Sequence, residues 1–224
     1  VADDLSVNAG DGAVLAGDAE GVTTNGVAEL TLEGLAATTN VILEATGQIT
    51  VNNLADDLLS MAQTGGAANF RITSTASGGI TFVDAADEIR TQGGSITLQA
   101  QGAGSLSNIG KLTSTGGAIA LESATTTALV GAIATNGGSF SSTGTTFTNA
   151  ATTGAISTAG GTLTIDHSGV VTINDNLSSS GGNISITGSN LTVSVGPTVD
   201  SGSGNVTLKP KTATTIGVGA GGGV

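Results

Sequence analysis

"TQGGSITLQA" at residues 91–100 and "STGGAIALES" at 114–123 share one outline: two glycines, a small residue, then apolar, small, apolar. The outline recurs as "GGSFSS" (137–142), "GGTLTI" (160–165), "GGNISI" (181–186) and "SGNVTL" (203–208). The first apolar positions are Ile96, Ile119, Phe140, Leu163, Ile184 and Val206, at spacings of 23, 21, 23, 21 and 22 residues. A fixed period of this size is the signature of a repeat architecture.

Within each unit, apolar and small residues alternate, as in Ile96-Thr97-Leu98 and Ile184-Ser185-Ile186. Alternation with period two means a strand, because successive side chains point to opposite faces. A second strand is expected about ten residues on, at 105–109, 128–130, 145–150, 170–174 and 191–195. A weaker third precedes the next glycines, at 111–114, 132–135, 155–158 and around Leu177 and Val199. Three short strands in about 22 residues predict an all-β chain, a right-handed parallel β-helix whose turns stack at the ordinary strand separation of about 4.8 Å. Blades of a propeller or sheets of a sandwich need longer strands and hairpin turns. Glycine at the corners reaches positive φ without the clash that a Cβ brings.

Composition agrees with a narrow tube. The 224 residues include 37 glycines, four phenylalanines and no Trp, Tyr or Cys. Stacked Ile, Leu and Val fill such an interior, and large aromatics are not needed. Without cysteine, thiolate nucleophiles, Cys-ligated zinc and iron–sulfur centres are excluded.

The earlier third is less regular. "AELTLEGL" (28–35), "NVILEATGQITV" (40–51), "FRITS" (70–74) and "GGITF" (78–82) are strand-like. Residues 52–66, with Leu54, Leu58, Leu59 and Met61 at helical spacing, are expected to be a helical or looped excursion. Residues 83–94 are a second, smaller irregularity, and 1–26 are a less regular acidic segment. About nine turns in a single 1–224 domain are expected. The tail "TIGVGAGGGV" (215–224) stops inside a continuing repeat, which predicts a fragment of a longer chain.

Net charge is −12, and thirteen of the seventeen carboxylates lie in residues 1–88 with one base, Arg71. Five basic residues cannot neutralise a run of phosphates, which argues against nucleic acid and anionic membrane surfaces as partners. No apolar run reaches the length of a membrane span.

The phrases "GGSITLQA" and "GGAIALESA", with "NVILEATGQITVNNL" upstream (40–54), resemble the repeat region of filamentous haemagglutinin-like exoproteins. The resemblance covers most of residues 27–218 and rests on repeat grammar rather than catalytic residues. It implies a β-helical shaft of a large bacterial surface protein, secreted by the two-partner route and serving adhesion, biofilm formation or contact-dependent antagonism. Implied partners are a host or neighbouring-cell surface, extracellular matrix, or end-to-end self-association. Neither the secretion domain with its Asn-Pro motifs nor an effector domain is seen in the sequence.

The alternative to a scaffold is an enzyme. A β-helical polysaccharide lyase or hydrolase needs carboxylates and a base. Asp84, Asp87, Glu88 and Arg90 are the nearest grouping, and a solvated turn with a local ion pair is the simpler reading. His167, the one histidine, beside Asp166, is expected on a surface turn; Asp175 and Lys111 lie in other turns. Asp3, Asp4, Asp11, Asp18 and Glu20 are dense enough to gather calcium through oxygen ligands, yet match no EF-hand or calcium β-roll motif. No catalytic, cofactor or metal residue is assigned. Ice binding is a further alternative, from the Thr-rich 142–154 and 212–215, although a strict T-x-T does not recur.

Overall fold

A computed structural model describes residues 5–8, 25–64 and 69–212. These residues form a parallel β-solenoid with three sheets. Each turn contributes one strand to sheets A, B and C in that order. Turn 1 is Val41–Ala45, Gln48–Val51 and Leu58–Met61, and turn 2 is Phe70–Ser74, Gly79–Phe82 and Glu88–Thr91. Turn 3 is Ile96–Ala100, Leu106–Ile109 and Lys111–Ser114, and turn 4 is Ile119–Ser123, Thr126–Leu129 and Ile133–Ala134. Turn 5 is Phe140–Gly144, Thr146–Asn149 and Ile156–Ser157, and turn 6 is Leu163–His167, Val170–Ile173 and Leu177–Ser178. Turn 7 is Ile184–Gly188, Asn190–Val193 and Val199–Asp200; Val206–Pro210 begins an eighth.

Seven complete turns are therefore described where about nine were expected; the described residues before Val41 supply two sheet B strands and a short helix rather than a full turn. Leu5–Asn8 and Asn25–Ala28 extend sheet B alone, with Leu5–Asn8 pairing both Gln48–Val51 and Asn25–Ala28. The rest of the acidic stretch 1–26 lies outside the described residues. Eight stacked strands in sheet A correspond to about 34 Å along the axis.

The core is one continuous apolar column. Register places equivalent residues over one another: Ile96, Ile119, Phe140, Leu163 and Ile184 in sheet A are all 0% exposed. Sheet C stacks Leu59, Ile89, Leu112, Ile133, Ile156 and Leu177 in the same way. Burying an aliphatic side chain of this size contributes about 1.5–3 kcal/mol, so each turn is held mainly by the turns above and below it.

The doubled glycine has two separate causes. The first of each pair carries a positive φ, between 105° and 122° at Gly93, Gly116, Gly137, Gly160 and Gly181. The second is packed against the preceding corner: a Cβ on Gly161 would stand 1.9 Å from the Gly138 carbonyl oxygen, and one on Gly182 2.0 Å from that of Gly161. A buried hydroxyl precedes each pair by two positions. Thr91, Ser114, Thr135 and Thr158 each donate to the carbonyl of the second glycine, at 2.5 Å, and Ser179 does the same. The corner phrase is thus Ser/Thr-x-Gly-Gly, and its hydroxyls form a polar column inside sheet C.

Two expectations in the first third are corrected. Residues 52–66 hold no helix among those described: Leu58–Met61 is a sheet C strand, with Leu59 and Met61 buried and Leu58 and Ser60 half-buried. Lateral pairing with Glu88–Thr91 outweighs the helix-like spacing of the leucines. Conversely, Glu29–Glu33 inside the strand-like 28–35 is a short helix, α1. Its carboxylates explain the change: Glu29 accepts a hydrogen bond from the Ala55 N–H at 3.1 Å, and Glu33 accepts one from the Ser60 N–H at 2.7 Å. Leu32 of the same helix is 3% exposed against the core. The helix therefore covers the outer edge of sheet C at turn 1, where open backbone groups would invite pairing with another chain.

Candidate functional site

Chemistry-bearing side chains fall in three places. The first is the corner between sheets B and C in turns 1 and 2. Glu88 is 6% exposed and accepts from Arg90 Nε at 2.9 Å and Lys111 Nζ at 2.7 Å. Burial alone would raise its pKa, but the hydrogen bonds from Arg90 and Lys111 outweigh it and hold the carboxyl below its usual range. Asp87 is fully buried, with one oxygen accepting from the Leu54 N–H at 3.1 Å and the other without a partner among the described residues. Burial pushes its pKa up, with Asp84 and Asp57 adding to the shift and the Leu54 N–H opposing it. Asp84 itself accepts from the Ala86 N–H at 2.8 Å, closing the turn. The corner is more than a solvated turn with a local ion pair, because two of its four charged residues, Asp87 and Glu88, are buried.

The second place lies inside turns 4 to 6. His167 was expected on a surface turn, yet it is 0% exposed. It ends the strand Leu163–His167 with its ring turned inward, in the column that reads Ala45, Ser74, Ala100, Ser123, Gly144 and His167. Small residues around it vacate the volume an imidazole needs. Gly144 pairs with it directly, and Ser142 stands where Leu98, Leu121 and Ile165 stand in other turns. His167 Nε2 is 2.9 Å from Ser142 Oγ, and the ring lies 5.5 Å from that of Phe147, tilted by 55°. Ser123 Oγ and Thr127 Oγ1, 2.9 Å apart, complete the polar group. The alternation Leu163-Thr164-Ile165-Asp166-His167 already places position 167 inward, and extending it by one residue was the missed signal.

The third place is the outer surface. On sheet B, Thr50, Thr81 and Ser107 stack in register, and Ala128, Thr148, Thr172 and Thr192 continue the outward row beyond a shift at Ser107–Asn108. A second outward row does not repeat: Thr126 and Thr146 are followed by Val170 and Asn190. Sheet A carries Gln99 donating to Glu122 at 2.6 Å and Lys211 paired with Asp166 at 2.5 Å.

Asp84 and Glu88 lie in turn 2, whereas His167 and Asp175 belong to turn 6, about 19 Å along the axis at four strand separations. The fold does not bring these four together. Lys111 joins Glu88 instead, and Asp166 joins Lys211. Among the described residues no group of three or more His, Cys, Asp or Glu is placed to hold a metal ion. Asp3, Asp4, Asp11, Asp18 and Glu20, the candidates for calcium, lie outside the described residues. No helix among the described residues is long and apolar enough to cross a membrane. No family model, no curated protein and no solved structure matches the chain.

Proposed function

We propose that the chain is a structural or adhesive segment of a large secreted bacterial surface protein, acting by shape and by contacts along its faces and carrying out no chemistry. The observation that carries this reading is the use to which the ionisable groups are put. Glu88, Arg90 and Lys111 satisfy one another across stacked strands, His167 is sealed in the core, and Asp84 closes its own turn. A stack of in-register parallel turns gives a stiff rod whose faces repeat every 4.8 Å or so, suited to spanning distance and presenting many weak contacts. Its partners in this reading are a host or neighbouring-cell surface, extracellular matrix, or the ends of other copies. The haemagglutinin-like repeat grammar supports the same assignment.

The test pairs binding with turnover. The chain displayed on beads is expected to retain cells or matrix, and to lose them after heat unfolding. Incubated with neutral and uronate polysaccharides, it is expected to leave polymer length unchanged. Shortening of any polymer would replace the scaffold with the lyase or hydrolase alternative. The hydroxyl row on sheet B favours one second reading, ordering of water at an ice surface. Inhibition of ice recrystallisation, lost in Thr148→Lys, would support it over adhesion.

A further inference from the structure

His167 is a fully buried ionisable side chain whose position the scaffold role leaves unexplained. Every other residue of its column from Ala45 to Gly188 is Ala, Ser or Gly. The imidazole is accommodated by a set of concessions from its neighbours: Gly144 beneath, where a Cβ would lie 3.0 Å from the ring Cε1, and Ser142 in place of a larger aliphatic. One ring nitrogen bonds Ser142, and the other, Nδ1, has no partner among the described residues.

A neutral ring fits this arrangement; a charged one needs two acceptors and solvent. The strands packed around it, Phe140–Gly144, Thr146–Asn149, Thr126–Leu129 and Ile184–Gly188, bring no ionisable side chain. The charges nearby lie on the outer face: Asp166 favours protonation, and Lys211, paired with it, opposes it. Glu122 is engaged with Gln99, and Lys209 is exposed two turns above.

We propose that His167 is an acid-sensitive fastener of the shaft, whose protonation loosens turns 5 to 7 while turns 1 to 3 stay closed. The reason for the confinement is the one-dimensional stacking, in which each turn contacts only its neighbours and a local defect opens locally. Opening frees strand edges and apolar surface, which makes the segment more adherent in acidic surroundings. Burial depresses the imidazole pKa to about 4. A group with a depressed folded-state value binds fewer protons folded than unfolded, so stability is fully present above about pH 6.5 and is lost as pH falls towards 4.

Because the chain has one histidine, its ring signals in NMR report this residue alone. They are expected to titrate with a midpoint near 4, and a midpoint near 6.5 would overturn the proposal. Peptide-resolved hydrogen exchange, corrected for intrinsic rates, is expected to lose roughly 50- to 100-fold protection in turns 5 to 7 at pH 4.5 relative to pH 7.5. His167→Gln, which keeps a partner for Ser142 and cannot titrate, is expected to abolish that loss. Equal loss in the variant, or loss spread evenly over all turns, overturns the proposal; if the variant fails to fold, the wild-type titration still decides it.

Discussion

Turns 1 and 2 and turns 3 to 7 solve the same stacking problem with different materials. Sheet A strands begin 29 and 26 residues apart across the first two turns, and 21 to 23 apart from Ile96 onward. In turn 1 six residues separate Gln48–Val51 from Leu58–Met61 and eight separate Leu58–Met61 from Phe70–Ser74, and the first of these loops is held by single charged contacts, Asp87 to Leu54 and Glu29 to Ala55. From turn 2 to turn 6 the corner between sheets C and A is held by one repeated device, the buried hydroxyl and glycine pair, and turn 7 keeps the hydroxyl at Ser201. A periodic solution is visible in sequence because every copy repeats it. A solution made of individual contacts leaves no period, and its logic emerges only when distant residues meet.

The largest way to break the regular part is Ile184→Asp. Ile184 is 0% exposed between Leu163 and Val206, so the carboxylate has no partner; a loss of about 4 kcal/mol or more is expected, with turns 6 and 7 unfolding. A thermal melt matching the parent would show that the register is misread. Gly161→Ala comes next. The new methyl meets the Gly138 carbonyl at 1.9 Å, and backbone on both sides has little freedom to yield; about 2–4 kcal/mol is expected in urea unfolding. Gly160→Ala offers the sharper contrast: nothing lies within 4 Å of its Cβ, and only its φ of 113° opposes the change.

Thr158→Val tests the hydroxyl column more gently. It leaves the Gly161 carbonyl short of one donor, for an expected loss of about 1–2 kcal/mol. The smallest effect tests the irregular turns by pH. Asp87 has a raised pKa, so the folded state holds its proton more tightly than the unfolded state, and stability falls as pH rises through the interval above the ordinary aspartate value. Asp87→Asn keeps the acceptor for Leu54 and removes the buried charge. It is expected to melt a few degrees higher than the parent at pH 7, with the difference shrinking towards pH 4. Acid thus acts with opposite sign on the two regions, favouring the Asp87 corner and opposing the His167 core.

Much of the regular part was legible from residues 91 to 208. The third strands predicted at 111–114, 132–135 and 155–158 contain the observed Lys111–Ser114, Ile133–Ala134 and Ile156–Ser157. Of the helical and looped alternatives for 52–66, the helix failed because lateral pairing of Leu58–Met61 to Glu88–Thr91 is a long-range contact that spacing does not encode, whereas residues 52–57, Leu54 among them, are a loop. The strand read into 28–35 failed for the converse reason. Glu29 and Glu33 find backbone donors 26 and 27 residues away, and those bonds favour the helix. His167 was misplaced because the strand was ended at Ile165, and a lone polar residue beyond a strand is ordinarily a solvated turn; only the glycine and serine of the neighbouring turn make room for it inside.

By itself, the sequence determined the fold class, the three-strand turn and the inward columns. Period and alternation are local properties, and parallel stacking multiplies them. Only the tertiary structure decided which polar residues end up inside. Burial of Asp87, Glu88 and His167 depends on what lies one turn above and below, 23 to 33 residues distant in the chain.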